Sequence, residues 1–482
     1  MEFLHITFNG IYKVIIISLV VYVSRIVFSR VKDVFFGPLA KVPGPKILAL
    51  SNLYMIYRLM KGQRHMEIYT TLFESNKLLC SDKDEIKRIL MTEELPKSEI
   101  YEIFCVDKIT RKTLFSTIDV ASGKKQRRLL SQGFSTKYLS SLEPSMQNCV
   151  RDLVTKIDKD MIEQGIVINM ADLLRCTAFN IMGDSVFGKS FKAFDSKYNG
   201  SISMFKLTFF ETRRMLLVHL LPILKPVLKR DQTFDNYVRG IINERRKQDT
   251  KGNDLLDIMI GLAEDKENAM NDIKIRDQCL EFLFTADSTG FVTMMTLILL
   301  VNHPEKMQKV IKELDEAFVD LGPDDLPTHD KLRKLPYFNA VIMESVRIYP
   351  PSMAFGPSKT ATKDMVICGY FVPKGTPIIC NIYAVHHSKE YWGDDVEEYK
   401  PERWLESEKL PKDAYLPFSF GSRNCIGMNF AWQELRLILG TLIFRYNFED
   451  VPNQKLEITQ AVVTKLKSDE YKLKVAKKSL SN

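Results

Sequence analysis

Apolar side chains recur every three or four residues along two central stretches, residues 146–157 and 307–318. That spacing predicts amphipathic helices, and the run Asn302-His303-Pro304-Glu305 is a typical start for the second one. From Gln278 to Val301 the chain is apolar almost all round, which predicts a helix buried in the body of the protein. The stretch from Phe430 to Phe444 predicts another helix.

A different pattern lies between residues 365 and 383. The runs Met365–Cys368 and Ile378–Ile382 are short and β-like, and Pro373-Lys374-Gly375-Thr376 between them is typical of a turn. No internal repeat, low-complexity stretch or clear boundary divides the chain after residue 45. The pattern therefore predicts a mainly α-helical fold with a minor β-sheet region.

Residues 11–28 form an apolar segment near the start of the chain, with Lys13 and Arg25 close to its ends. About 18 helical residues nearly cross the hydrocarbon of a bilayer, so we expect an N-terminal transmembrane helix. An amphipathic helix on the membrane surface is the alternative. Arg25, Arg30 and Lys32 follow the segment and indicate that the body lies in the cytosol. No small-residue cleavage site follows, which argues against a removed signal peptide.

The overall composition excludes several classes of protein. The 482 residues carry a net charge of +8 without a long basic run or a zinc-finger spacing. Nucleic acid is therefore a poor partner, and an anionic membrane or an acidic protein fits the charge better. The eight cysteines form no CxxC motif, which predicts a reducing compartment. A cysteine with a special role must then have it through its chemistry.

The cysteine at position 425 lies in an unusual local sequence. Residues 418–427 read FSFGSRNCIG, and Gly421 and Gly427 allow tight backbone conformations there. The predicted C-terminal helix begins directly afterwards, and the partial positive charge at a helix N-terminus favours a thiolate. Arg423 can pair with an anion. A lone cysteine is usually only buried packing, but this surrounding pattern favours a reactive thiolate.

The cysteine loop, as we call residues 418–427, resembles the haem-binding signature FxxGxRxCxG of the cytochrome P450 family. Every defined position of that signature is matched, by Phe418, Gly421, Arg423, Cys425 and Gly427. The resemblance implies a haem whose iron is ligated axially by Cys425, with the other four residues in its binding loop. A thiolate ligand pushes electron density toward the iron and favours O–O cleavage.

The resemblance covers almost the whole chain and is greatest to fungal microsomal members. It implies the cytochrome P450 fold, with residues 1–30 as a membrane anchor and residues 31–482 as the catalytic domain. The implied location is the endoplasmic reticulum membrane, with a single span and the catalytic domain facing the cytosol. One departure lies near residues 74–83, where the family normally has two β-strands and this chain has room for about one.

Two further family landmarks precede the cysteine loop. The run MESVR places Glu344 and Arg347 three residues apart on one helix face, where they can pair, and PERW contains Arg403. The resemblance implies that these three side chains form a buried network that supports the cysteine loop. Their implied role is structural rather than chemical.

The predicted buried helix contains the run FLFTADSTGF, in which an acid and an alcohol lie in an apolar setting. A buried carboxylate is costly unless it is hydrogen-bonded or functional. The run resembles the family's oxygen-activation motif, which implies that Asp287 and Ser288 relay protons to dioxygen. Ser288 stands where threonine is usual, and Phe284 and Thr285 stand where alanine and glycine are usual. A satisfied kink in the helix is the alternative role for the pair.

Haem propionates need basic partners, and Arg423 is the first of these by its motif. The run GKKQRRLL resembles the family's WxxxR helix, with Arg127 at the arginine and Gly123 in place of the tryptophan. Arg128 is a possible substitute for Arg127. Lys359 occupies a position where the family often has arginine. A solvated surface face is the alternative for these basic residues.

The resemblance implies a monooxygenase that inserts one atom of O2 into a lipophilic small molecule. No flavin-binding or dinucleotide-binding segment is present, so the implied electron donor is a membrane-bound NADPH–haemoprotein reductase. Substrate contacts are implied for residues 101–120, 285–289 and 350–357, and core packing is the alternative for their aromatic members. The apolar residues expected there are Phe104, Phe115, Phe284, Met353 and Phe355. A haem-thiolate isomerase or dehydratase, and a degraded non-catalytic haem protein, remain alternative functions.

Overall fold

The structure is a computed structural model of the whole chain. It describes residues 17–43 (apart from 19, 23, 26 and 30), 78–104, 113–194, 214, 232–247, 254–263, 270–322, 324–352, 356–406, 410–460, 464–468 and 470–478. The predicted anchor therefore lies largely outside the described residues, because nothing before residue 17 is among them. The described residues between 17 and 29 are helical and exposed.

Helices make up most of the described chain, as the apolar spacing predicts. After the helical residues near the start of the chain, the α-helices in chain order are α1 Lys83–Lys87, α2 Val120–Leu130, α3 Thr136–Gln164, α4 Met170–Phe187, α5 Thr233–Arg246, α6 Leu255–Ala263, α7 Asp272–Val301, α8 Pro304–Ala317, α9 His329–Leu332, α10 Pro336–Ile348, α11 Ile382–His386, α12 Lys389–Trp392 and α13 Met428–Arg445. The predicted helices at 146–157, 278–301, 307–318 and 430–444 are confirmed as parts of α3, α7, α8 and α13.

Small sheets account for the strands among the described residues. The strands are β1 Leu78–Cys80, β2 Val167–Asn169, β3 Ser358–Thr360, β4 Met365–Ile367, β5 Tyr370–Val372, β6 Pro377–Cys380, β7 Tyr446–Asp450, β8 Ile458–Gln460, β9 Thr464–Leu466 and β10 Lys472–Lys477. They form the sheets β1-β6-β3 and β2-β10-β7 and the pairs β4-β5 and β8-β9. Both predicted β-like runs form strands, although β6 ends at Cys380 and Ile382 already begins α11. The two strands belong to different sheets, because β4 pairs with β5 and β6 lies between β1 and β3.

Helix α7 runs through the middle of the protein and positions the site. Its Asn271 side chain accepts a hydrogen bond from the Lys274 amide at 2.9 Å, which caps the first turn. The helix is 30 residues long and packs against α4, α10 and α13. Among the described helices it is also the one that is long and apolar enough to cross a membrane. Because most of that apolar stretch is buried against other helices, α7 is a core helix here.

The fold is mainly helical with small sheets, consistent with the family fold that the sequence resembles. A second, smaller core lies around the sheet β1-β6-β3 and includes Trp392, Trp404 and Leu416. It ends at the cysteine loop, whose residues Gly421–Arg423 form a 3₁₀ turn before α13 begins at Met428. The loop is thus held between the main helical core and the smaller core.

Candidate active site

One cavity of about 410 Å³ lies between α7, α2, the segment 356–359 and the cysteine loop. Its volume falls in the range of about 300–1,000 Å³ that is usual for small-molecule sites. Apolar side chains dominate its wall, among them Leu114, Phe282, Val292 and Ile382. We call it the main cavity. Its shape and lining suit a lipophilic molecule or a large apolar cofactor with a few polar anchors.

Cys425 lies on the wall of the main cavity, and its thiol is exposed to that enclosed space rather than to the protein surface. The Cys425 amide donates a hydrogen bond to the Phe418 carbonyl at 2.8 Å, which closes the cysteine loop on itself. Burial raises the pKa of the thiol, while the Gly427 amide and the charges of Arg127 and Lys97 lower it. The surroundings thus include groups that stabilise a thiolate, as a metal ligand requires.

The two predicted glycines of the cysteine loop differ in what they do. Gly421 has φ +77°, and a Cβ there would overlap the Leu90 carbonyl oxygen, so both its conformation and its packing require glycine. Gly427 has an ordinary φ of −82° and serves as the N-cap position of α13. A Cβ at 427 would only make van der Waals contact with the Cys425 sulfur.

Arg423 lines the main cavity, but its guanidinium is held by backbone carbonyls. It donates hydrogen bonds to the carbonyls of Thr117 at 2.6 Å, Leu114 at 3.1 Å and Asp119 at 3.2 Å. These contacts tie the cysteine loop to the segment that leads into α2. The guanidinium also lies directly over Gly123, where a Cβ would overlap its Nη1 atom. This is why the family's tryptophan cannot occupy position 123 in this packing.

Arg127 and Lys359 also line the main cavity. The Arg127 guanidinium donates to the carbonyl oxygen and to the side-chain oxygen of Asn424, both at 2.6 Å, so it braces the residue before Cys425. Burial, and then the charge of Arg423, lower the pKa of Lys359 to about 8. Arg128, the possible substitute for Arg127, is not among the residues that line the cavity.

Lys97 is a cavity residue that sequence reasoning missed. Its side chain is only 8% exposed, and its Nζ donates to the Phe115 carbonyl at 2.6 Å and lies over the rings of Tyr101 and Phe115. Burial, followed by repulsion from Arg423, lowers its pKa to about 7. A backbone bridge to Lys359 places Lys97 in the cavity wall. No local sequence pattern predicts the backbone bridge between Lys97 and Lys359, because the two residues are far apart along the chain.

The predicted network of an acid and two arginines is brought together in the core. The Glu344 carboxylate is fully buried and accepts two hydrogen bonds from Arg347 and one from Arg403, each at 2.9 Å. The Trp404 indole donates to the same carboxylate at 2.9 Å. Sequence reasoning did not include that tryptophan, although it is the last residue of the PERW run.

The same network reaches the cysteine loop through His386. Arg347 donates to the His386 carbonyl at 2.8 Å, and the His386 Nε2 atom accepts from the Leu416 amide at 2.8 Å. Leu416 lies two residues before Phe418. The chain of contacts gives a physical route by which Glu344 and Arg347 can support the loop around Cys425.

The predicted acid–alcohol pair is divided between two cavities. Ser288 lines the main cavity, as do Thr285 and Thr289. Asp287 instead lines a second cavity of about 30 Å³, together with Arg175 and Lys465. The Thr285 hydroxyl donates to the Phe282 carbonyl at 2.7 Å within its own helix. The acid and the alcohol therefore face different sides of α7.

The expected substrate contacts are described only in part. Phe115 lines the main cavity, as do Tyr101, Leu114, Pro351 and Ser352 from the predicted segments. Met353, Phe355 and the side chains of Phe104 and Phe284 lie outside the described residues. Glu281 also lines the main cavity and was not predicted. Burial raises the pKa of its carboxyl group to about 7. It lies about one helical turn before Thr285 on α7.

Comparison with known proteins agrees with the resemblance in the sequence. The model of the family described as "Cytochrome P450" matches residues 54–475. A Fusarium protein named cytochrome P450 monooxygenase LUC2 is 30% identical, with 95% of this chain and 92% of that protein covered. Cytochrome P450 monooxygenase FUS8 of Gibberella moniliformis is 30% identical over 94% and 91%. Cytochrome P450 monooxygenase mpsF of Macrophomina phaseolina is 31% identical over 83% and 98%.

Proposed function

The chain belongs to the cytochrome P450 family of monooxygenases, and from its main cavity we propose a specific division of labour among its residues. Cys425 would ligate the haem iron, and the apolar wall would hold a lipophilic small molecule. The net reaction is RH + O2 + 2e⁻ + 2H⁺ → ROH + H2O. The observation that carries this proposal is a thiol in an enclosed apolar cavity that is ringed by cations.

The residues present fit a haem. The iron ligand would be Cys425, and the two propionates would find the cations Lys97, Lys359, Arg127 and Arg423 in the same wall. Burial and the charge of Arg423 lower the pKa values of Lys97 and Lys359. A bound propionate would offset this effect, because its negative charge favours the charged form of each lysine. When bound, a thiolate-ligated haem supplies the centre at which dioxygen is reduced and the O–O bond is cleaved.

The polar groups on α7 would handle protons. The Ser288 hydroxyl borders the main cavity, where it can present a proton to a reacting oxygen. Asp287 would replenish that proton from the other face of the helix, beside Arg175 and Lys465. Because the two residues face different cavities, this relay needs a side-chain rotation or a water between them.

Electrons would come from a separate NADPH–haemoprotein reductase that docks near the cysteine loop. The net charge of +8 suits an acidic protein partner. The substrate would enter the apolar half of the main cavity, beside Phe115 and Val292. Neutral lipophilic molecules fit this wall, because the cations nearby are engaged with carbonyls or reserved for the propionates.

Substitution of the ligand tests the proposal. The reduced protein with carbon monoxide should show the absorbance band of a thiolate-ligated haem, and Cys425→Ser should abolish that band. Cys368→Ser is the matched control, because Cys368 is exposed and does not line the main cavity. Retention of the thiolate band in Cys425→Ser would refute the assignment of the ligand.

We also propose that residues 1–30 anchor the protein in the endoplasmic reticulum membrane and that residues 31–482 form the catalytic domain. In the described part of that segment, Ile17, Val20, Val21 and Phe28 are all more than half exposed. Exposed apolar residues on one helix need an apolar environment. Full-length protein should float with lipid vesicles, while a chain without residues 1–30 should bind them less and keep its haem spectrum. Equal flotation of both chains would argue against the anchor.

A further inference from the structure

Glu434, on helix α13, is a buried carboxyl group that the proposed function does not use. Its side chain has 0% exposure, and neither carboxyl oxygen forms a hydrogen bond of normal geometry with the described residues. A charged carboxylate without partners in such a place is very costly, so the protonated form is favoured. Burial raises the pKa of Glu434 to about 8.

The polar group that faces Glu434 is the Thr289 hydroxyl of helix α7. It is close enough to lower the pKa of Glu434 against the larger effect of burial. Thr289 also lines the main cavity, one residue beyond Ser288. Thr289 therefore borders both the main cavity and the buried carboxyl group of Glu434.

Among the residues that the structure describes, few other titratable groups lie near Glu434. On helix α3 the titratable group on which the charge of Glu434 acts is Cys149, and the carboxylates of Asp152 and Asp184 act on the same thiol. Along α13, Arg436 faces His329 and Arg333 instead. None of these charges, nor any from α8 or β7 among the described residues, contributes to the raised pKa of Glu434.

We propose that Glu434 is a proton store that supplies the main cavity through Thr289, independently of Asp287. The Thr289 oxygen gives its proton to the cavity side and receives the proton of Glu434, whose carboxylate is then reprotonated. The inference deepens the proposed function, because it assigns one source of the two protons in the monooxygenase reaction. Glu434 acts through Thr289 and does not itself line the cavity.

A route for reprotonation leads away from the cavity to helices α3 and α4. The Cys149 thiol donates to an Asp184 carboxylate oxygen at 3.7 Å, and the Ser145 hydroxyl donates to the same oxygen at 2.8 Å. Once Glu434 has given up its proton, the negative charge of its carboxylate acts on Cys149. Ser145 and Asp184 are partly exposed, so a proton from solvent can reach this group.

The first test reads the proton directly by infrared difference spectroscopy of the full-length holoprotein. We expect a C=O band of a protonated carboxyl group that disappears as the pH rises, with a midpoint near pH 8. The same band should be missing from the spectrum of Glu434→Gln. Glu281→Gln is the matched control, since it removes another buried carboxyl and should keep that band. A Glu434→Gln spectrum identical to that of the original protein would overturn the proposal.

The second test measures coupling, the product formed per oxygen consumed with added reductase. A positioned general acid accelerates a reaction by about a hundredfold or more. Because the proton supply through Asp287 stays in place, we expect Glu434→Gln to lower coupling only about tenfold. Glu449→Gln, an exposed glutamate on β7, should leave coupling unchanged. Unchanged coupling in Glu434→Gln would overturn the proposal.

A third variant separates a proton store from a structural role. Thr289→Val keeps Glu434 in place but removes its facing hydroxyl, so the midpoint of the infrared band should rise above pH 8 while coupling falls. A midpoint that stays put in Thr289→Val would contradict the link through Thr289. Failure of the monooxygenase assignment itself would be recognised separately, because it would remove the thiolate band with carbon monoxide and leave the infrared result intact.

Discussion

At the scale of single residues, the absence of a side chain at Gly123 makes room for the guanidinium of Arg423. Gly123 departs from the family pattern, because tryptophan is usual at this position of the WxxxR helix. In the structure the Arg423 guanidinium lies over Gly123 and reaches three carbonyls of the segment 113–119. A small residue at 123 thus permits a long one at 423 to brace the cavity wall.

Gly123→Ala should therefore be destabilising although alanine favours helices. Its Cβ would displace Arg423 from its carbonyl partners, and lost hydrogen bonds to a charged group cost about 2–3 kcal/mol. Urea unfolding measures the change. The control is Gly240→Ala on helix α5, where a Cβ meets nothing within 4 Å, and it should stabilise by up to about 1 kcal/mol. Equal effects of the two changes would contradict the role of Arg423.

The residues that could be predicted from sequence are those with a local signature. Cys425 and Gly421 were found because they lie within ten residues of one another and of a helix start. Lys97, Glu281 and Glu434 were missed because each is an ordinary charged residue in its own neighbourhood. Their chemistry comes from burial, which depends on contacts with chain segments far away in sequence.

At the scale of elements, the Glu344 network joins helix α10 to the 3₁₀ turn Pro401–Trp404 and, through His386, to helix α11. The spacing of Glu344 and Arg347 predicted their pairing on one helix face. Their complete burial and the indole of Trp404 were not predictable, because they depend on how the turn packs against the helix.

Glu344→Gln should be strongly destabilising. It removes the negative charge that the side chains of Arg347, Arg403 and Trp404 share with the Lys400 amide. Breaking a buried ion pair by loss of one partner costs about 3–5 kcal/mol. The measurement is the free energy of unfolding in urea. Glu316→Gln, whose Lys312 partner lies 3.9 Å away on the surface of α8, should change it by at most about 0.5 kcal/mol. A mild effect at Glu344 would mean that water compensates the loss.

At the scale of the whole molecule, periodicity predicted the large helical body and the minor sheets, and the structure bears this out. The pairing of strands was not predictable, since β1 lies beside β6 although about 300 residues separate them. The sequence also could not predict that Asp287 and Ser288 face two different cavities. This division depends on where α4 and β9 pack against α7 rather than on the motif itself.

Buried histidines and carboxyls should give the stability of the whole protein an opposing dependence on pH. Burial lowers the pKa of His386 well below 6.5, so below pH 6.5 the unfolded chain binds a proton that the folded chain does not. Burial raises the pKa of Glu434 to about 8, so between about pH 8 and pH 4.5 the folded chain holds an extra proton. Acid therefore weakens the fold through His386 and strengthens it through Glu434.

Two variants separate these contributions between pH 6.5 and 5.5. In His386→Gln the free energy of unfolding should fall less over this pH unit, by about 1 kcal/mol relative to the original protein. In Glu434→Gln it should fall more, by a similar amount. Denaturant unfolding at several pH values gives both slopes. Parallel slopes in all three proteins would mean that neither group changes its protonation on unfolding.

The Glu344 network has a further consequence for the time course of folding. Its bonds to Arg403 and Trp404 span 59 and 60 residues of chain, so they close a long loop. Closing such a loop costs entropy before any contact repays it, and contacts of this kind tend to form late. Late contacts slow unfolding more than they speed folding. The Glu344 carboxylate should therefore prolong the lifetime of the cavity around Cys425 more than it speeds the first formation of that cavity.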